Sequence, residues 1–151
     1  MFAVIRIRGA AGNSKRVEDT LKMIRLIAVN NCVLIPESVD YKGMLEKAKD
    51  TITWGEIEKD TLVKMLEKRL KSKNNEKISE KELKSIAGYD YEGFADALLK
   101  GKIKLKDLEK LQPVFRLTPA SKGLKSVKEH YPKGDLGYRG KEINELIEKM
   151  I

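Results

Sequence analysis

Within the first 57 residues the hydrophobic pattern switches repeatedly between a period of two and a period of about 3.6, and few small folds accommodate such a sequence. Phe2-Ala3-Val4-Ile5-Arg6-Ile7-Arg8 predicts a strand, rich in β-branched residues, with Arg6 and Arg8 alternating onto one face. Gly9 to Asn13 predicts a turn, and Ser14 is placed to cap a helix. That helix carries Val17, Leu21, Ile24 and Ala28 on one stripe, with Lys15, Arg16, Lys22 and Arg25 largely off it. Asn30-Asn31 ends it, and Cys32–Ile35 forms a second strand stopped by Pro36. Tyr41 to Lys49 reads as a short helix, and Thr51 to Trp54 as a third strand ended by Gly55. The order is β-α-β-α-β. Its economical packing is α+β and ferredoxin-like, with helices on one face of a small, mostly antiparallel sheet.

Beyond this core (residues 1–57) the pattern of 58–151 is mainly helical. Leu62, Met65, Leu66 and Leu70 form an amphipathic face that stops at the polar segment 72–77. Ser79 and Glu82 have the spacing of a capping box, Gly88 ends that helix, and Phe94, Ala97 and Leu98 mark another ended by Gly101. Leu105, Leu108 and Leu111 add a further turn or two before Pro113. Ile143, Leu146, Ile147 and Met150 recur at i, i+3, i+4 and i+7, the pattern of a C-terminal helix docked on the body.

Between Pro113 and that last helix lies the most unusual stretch. A strand-like run, Val114-Phe115-Arg116-Leu117, leads into a segment that loses nearly all its apolar content. Across 116–141, Arg116, Lys122, Lys125, Lys128, Lys133, Arg139 and Lys141 face only Glu129 and Asp135, among glycines, prolines, His130, Tyr131 and Tyr138. Such a composition predicts a loop arm that cannot offset its own ordering entropy and is held by a polyanionic partner. RNA suits it. Cations neutralise phosphates, glycine permits close backbone approach, and Tyr or His rings stack on unpaired bases.

The rest of the composition excludes more than it assigns. Net charge is +8, from 31 Lys and Arg against 23 Asp and Glu, a balance suited to nucleic acid, anionic membrane or acidic partners. The basic residues of the arm sit on a Gly/Pro loop rather than an amphipathic helix, which argues against a membrane surface. The single cysteine, Cys32, lies in an apolar run and reads as a buried, inert thiol. His130 is the only histidine, so a triad or metal site lacks partners, and a contact with RNA or solvent fits it better. Gly9-Ala10-Ala11-Gly12 lacks dinucleotide-loop spacing and reads as a turn. Trp54 suits the core more than a stacking platform. Arg6 and Arg8 suit either plain solvation or RNA contact. Neither cofactor nor catalytic constellation is indicated. A small-molecule-binding regulatory domain of the same topology is the alternative, and it leaves the arm without a purpose.

The order of elements, together with Lys42-Gly43-Met44, Ile52-Thr53-Trp54-Gly55, Arg116-Leu117-Thr118-Pro119 and Gly134-Asp135-Leu136-Gly137, resembles the archaeal and eukaryotic form of the large-subunit ribosomal protein L-thirty family (eukaryotic L-seven). The resemblance spans the whole chain. Residues 1–57 resemble the short bacterial form, and 58–151 the extension of archaeal and eukaryotic members. A start directly at the first strand, without a long basic N-terminal arm, fits the archaeal type. The resemblance implies a non-enzymatic, cytoplasmic component of the large ribosomal subunit. It would bind large-subunit rRNA, lie near 5S rRNA and meet neighbouring ribosomal proteins. The family's RNA-facing elements fall on Lys15 and Arg16 at the start of the first helix, on Lys42, and on the arm. Bacterial relatives usually carry Arg where Lys42 stands, so a phosphate contact there is expected rather than a bidentate base contact.

Overall fold

The computed structural model describes residues 1–151. Five strands form one sheet in the order β4-β2-β1-β3-β5: β1 (Phe2–Arg6), β2 (Asn31–Ile35), β3 (Ile52–Glu56), β4 (Val114–Arg116) and β5 (Gly137–Tyr138). The central strand β1 is antiparallel to β2 and β3, with Val4 opposite both Val33 and Trp54. β4 continues the antiparallel pattern on β2, whereas β5 runs parallel to β3. The architecture is α+β, as the periodicity predicts. The mainly helical second half also supplies both edge strands.

Every residue of β1 is buried because helices cover both faces of the sheet. Phe2 and Val4 point toward α1 (Lys15–Met23) and α2 (Val39–Lys47), where Leu21, Ile24, Leu45 and Trp54 complete one core. Ala3 and Ile5 point the other way. There they meet α3 (Lys59–Arg69), α4 (Glu80–Ala87), α5 (Tyr91–Leu99) and α6 (Ile143–Met150), through Leu62, Met65, Leu83, Phe94 and Ile147. Ser14 and Ser38 cap α1 and α2, the second helix starting earlier than its apolar residues suggest. The Ser79–Glu82 capping box forms in full, and Gly88 closes α4 in the left-handed conformation at φ +77.

Two close contacts fix the second half to the sheet. The third strand does not stop at Gly55. It runs through it to Glu56, paired with Ala3 and Phe2, and the missing side chain at Gly55 makes room for the backbone carbonyl of Gly140. Asn144 on α6 then bridges the strand end, accepting from Glu58 N at 2.9 Å and donating to Glu56 O at 3.0 Å. Cys32 is fully buried, and burial pushes its thiol up to about 12, as an inert core cysteine requires.

The predicted arm is more ordered at its C-terminal end than its composition suggests. Gly134 through Gly137 are buried, and Asp135 pairs with Arg139 at 2.9 Å inside the body. Asp135 Oδ2 also accepts from Lys125 N at 2.5 Å and Ser126 N at 3.3 Å, pinning the loop. Counting apolar side chains missed this because glycine packing and a satisfied ion pair bury the segment instead. The stretch lying on the surface narrows to about 118–133.

Candidate nucleic-acid interface

The topology gathers most of the predicted contact residues at one end of the sheet. β1 ends there, β2 and β3 begin there, β4 ends there and β5 begins there. The arm therefore leaves one edge strand and returns to the other across the full width of the sheet. On the way, Thr118 N and Ser121 N each donate at 2.9 Å to carbonyls of the last turn of α6, at Met150 and Lys149. Leu124 packs on the core beneath. Lys15, Arg16, Arg116, Lys122, Lys125, Lys128 and Lys133 are all exposed at this end. None forms an ion pair, unlike the helical lysines Lys59, Lys64, Lys84 and Lys149. Arg8 and His130 meet at Asp50: Arg8 Nη1 donates to its backbone carbonyl at 3.3 Å, and His130 Nε2 lies 3.0 Å from its carboxylate. Nothing in the sequence marks Asp50 as the residue that joins the arm to the β3 end.

A second group sits apart, on the face covered by α2. Tyr138 is 51 % exposed and leans edge-on to Phe2, with ring centroids 6.5 Å apart, and against Trp54 at 6.2 Å. Lys42 Nζ lies 5.8 Å from the same Phe2 ring. The Tyr138 hydroxyl donates to Glu56 Oε1 at 2.6 Å, and this bond pushes its ionisation up to about 12. Trp54 itself is core. Lys141 is exposed just beyond β5.

Two of the predicted RNA contacts are corrected. Arg6 is 1 % exposed and faces inward from β1. Its guanidinium donates to the carbonyls of Arg8 (2.8 Å), Leu26 (2.9 Å) and Ile27 (3.0 Å), and to Glu18 Oε1 (2.8 Å). Strand alternation correctly gave it a face, but a helix covers that face. Arg139 is buried as well, held by Asp135 and Thr53, and stacks 5.3 Å from the Tyr131 ring. That stacking also occupies one face of Tyr131. One basic run was passed over in the sequence: Lys100, Lys102, Lys104 and Lys106, all exposed and alternating with smaller or apolar residues. The alternation itself is the signal.

Comparison with known proteins gives the family. The model of the family described as Ribosomal protein L30p/L7e matches residues 2–52. The large ribosomal subunit protein uL30 of Archaeoglobus fulgidus is 46% identical over 151 residues, covering 99% of each chain. That of Thermoplasma volcanium is 46% identical over all of this chain and 93% of its own. That of Methanosphaera stadtmanae is 44% identical over the whole of both. With the five-strand sheet, its helical covering and full-length identity all in agreement, the chain belongs to the uL30 family, Ribosomal protein L30p/L7e.

Proposed function

We propose that this chain is a structural constituent of the large ribosomal subunit that binds and stabilises folded rRNA, near 5S rRNA, and has no catalytic role. Its place is the cytoplasmic ribosome, among large-subunit rRNA and neighbouring ribosomal proteins. The carrying observation is the single end of the sheet where the arm and the start of α1 present exposed cations free of ion pairs, beside a half-buried Arg8. Residues 1–57 serve as the ribosomal core, and 58–151 as the extension that completes the sheet and holds the arm. Lys15, Arg16, Arg116, Lys122, Lys125, Lys128 and Lys133 contact phosphates and set position. RNA shape supplies specificity, with His130 and Tyr138 as the rings still open to an unstacked base. Lys42 and Lys141 form a separate phosphate contact beside Tyr138.

Directed cleavage tests this arrangement. An iron chelate is attached at Lys128→Cys, where the buried Cys32 does not compete, and the protein is assembled into large subunits. Cleavage of large-subunit rRNA, with 5S rRNA also cut, is expected. Cleavage of large-subunit rRNA alone removes the 5S contact. Incorporation without any rRNA cleavage refutes the arm as the interface.

A further inference from the structure

β4 is too short for the strand it pairs with, and the vacant part of the ladder opens onto an apolar groove. β4 opposes only Asn31, Cys32 and Val33 of β2. The next register position places Pro113 opposite Leu34, and proline has no N–H to give. Ile7 N donates to Thr51 O on the β3 side, so antiparallel alternation through β1 and β2 turns the backbone of residues 32 and 34 toward the β4 side. The peptide groups of Leu34 therefore point outward beside Pro113 with no backbone partner from it, at the groove that both residues line.

The groove there has a volume of about 290 Å³. Its walls come from both helix layers. Met23, Ile24 and Tyr41 stand on one side, and Leu98, Ile103 and Leu105 on the other. Strand side chains alternate between the two faces of a sheet, so an extended segment laid against Leu34 would send successive side chains to opposite walls. Met23 is 73 % exposed. The charged lining residues are Arg25, Lys104 and Lys106, with no carboxylate among them. Lys100 and Lys102 extend the positive rim.

We infer that this slot takes an extended segment of a neighbouring protein, with apolar residues flanked by acidic ones, which continues β4 along β2. Backbone pairing at Leu34 gives the segment its direction, the apolar walls hold its side chains, and the lysine rim selects for acidic flanks. Nucleic acid fits less well. A nucleotide has no alternating peptide backbone to extend a ladder, and two facing apolar walls suit side chains on both sides of a strand. The slot lies at the opposite end of β2 from the arm, so the rRNA-binding surface and this one can be occupied together.

The test uses the full chain inside assembled large subunits. Met23 is replaced by a photo-crosslinking phenylalanine analogue, the subunits are irradiated, and the adduct is mapped by peptide sequencing. The expected adduct is a protein segment of alternating apolar residues with Asp or Glu at its ends. A Lys104→Glu, Lys106→Glu variant that still assembles is expected to lower the adduct yield about tenfold, the effect of roughly 1.4 kcal/mol at a charged rim. An adduct to RNA, an adduct to a protein segment without acidic flanks, or no adduct in subunits that contain the protein overturns the inference. The arm's contact with rRNA is read independently by the cleavage experiment, so either result can fail alone.

Discussion

Replacing Arg6 by Met separates a structural arginine from an RNA-binding one. The side chain is buried beside β1, and its guanidinium serves three carbonyls and the Glu18 carboxylate at 2.8–3.0 Å. Methionine fills much of the space and offers no donor. The Leu26 carbonyl then loses its partner where water reaches it poorly, the Ile27 carbonyl where burial is only partial, and Glu18 keeps only Asn13 at 2.6 Å. Removing one member of a buried charge pair costs about 3–5 kcal/mol. Glu18 retains some exposure and the methionine recovers some apolar burial, so the low end, about 3 kcal/mol, is expected. At about 2–4 °C per kcal/mol for a chain of this size, Tm falls by about 6–12 °C. Urea unfolding should show the midpoint lowered at unchanged slope. There is also a pH signature. The Asn13 amide, and after it Arg6, holds the Glu18 carboxyl below its ordinary value. A lowered carboxylate stabilises the fold above its unfolded value of about 4.3, and that contribution is lost as pH falls through the folded value. In the variant this acid-sensitive part shrinks without vanishing, because Asn13 remains. A stability change within about 0.5 kcal/mol, together with a salt slope for RNA reduced by about one, would return Arg6 to the RNA surface and refute the reasoning.

Other perturbations probe the remaining links. Asp135→Ala removes the partner of buried Arg139 and the acceptor for Lys125 N and Ser126 N, so protease cleavage within 118–133 should accelerate markedly while far-ultraviolet dichroism stays near native. Unchanged cleavage there would show that the arm is held by something else. Gly55→Ala drives a methyl group into the Gly140 carbonyl, and the loss should be about 1–3 kcal/mol in urea unfolding, against near neutrality if the two backbones can part. In an alkaline absorbance titration one tyrosine should ionise near 12, well after an ordinary phenol at about 10, and that step should disappear in Tyr138→Phe.

Periodicity carried most of the fold. Val4, Ile5 and Leu21 alternate or recur as their elements require, and Ser14, Ser79 and Gly88 cap where their chemistry places them. What it could not carry was long-range pairing. β5 is two residues long, Gly137 and Tyr138, and exists because Thr53 and Trp54 lie beside it, with Thr53 Oγ1 donating to Gly137 O at 2.9 Å. No local pattern announces a strand that short. The need for glycine at position 55 likewise depends on Gly140, which lies far along the chain. At the candidate site, exposure was the hidden variable. Lys122, Lys125, Lys128 and Lys133 lie in a segment too polar to pack, and they do stay on the surface. Arg6 and Arg139 have the same charge, but the helix over β1 and the carboxylate of Asp135 draw them inside. Composition treats all six alike. Only the tertiary arrangement of carbonyl and carboxylate acceptors tells them apart.

The buried return of the arm also determines which variant is informative. A deletion through residue 140 would remove Asp135, Leu136, Arg139 and β5, and so damage the body. Neutralising Lys122, Lys125, Lys128 and Lys133 to Gln leaves that return intact. The most direct measurement is the affinity of this variant and of the native chain for large-subunit rRNA across a salt series. Each phosphate contact contributes roughly 0.7–0.9 to the slope of log affinity against log salt, so the variant's slope should fall by about three at unchanged unfolding midpoint. Equal slopes for the two proteins, with both folded, would contradict the assignment of the arm as the rRNA-binding element.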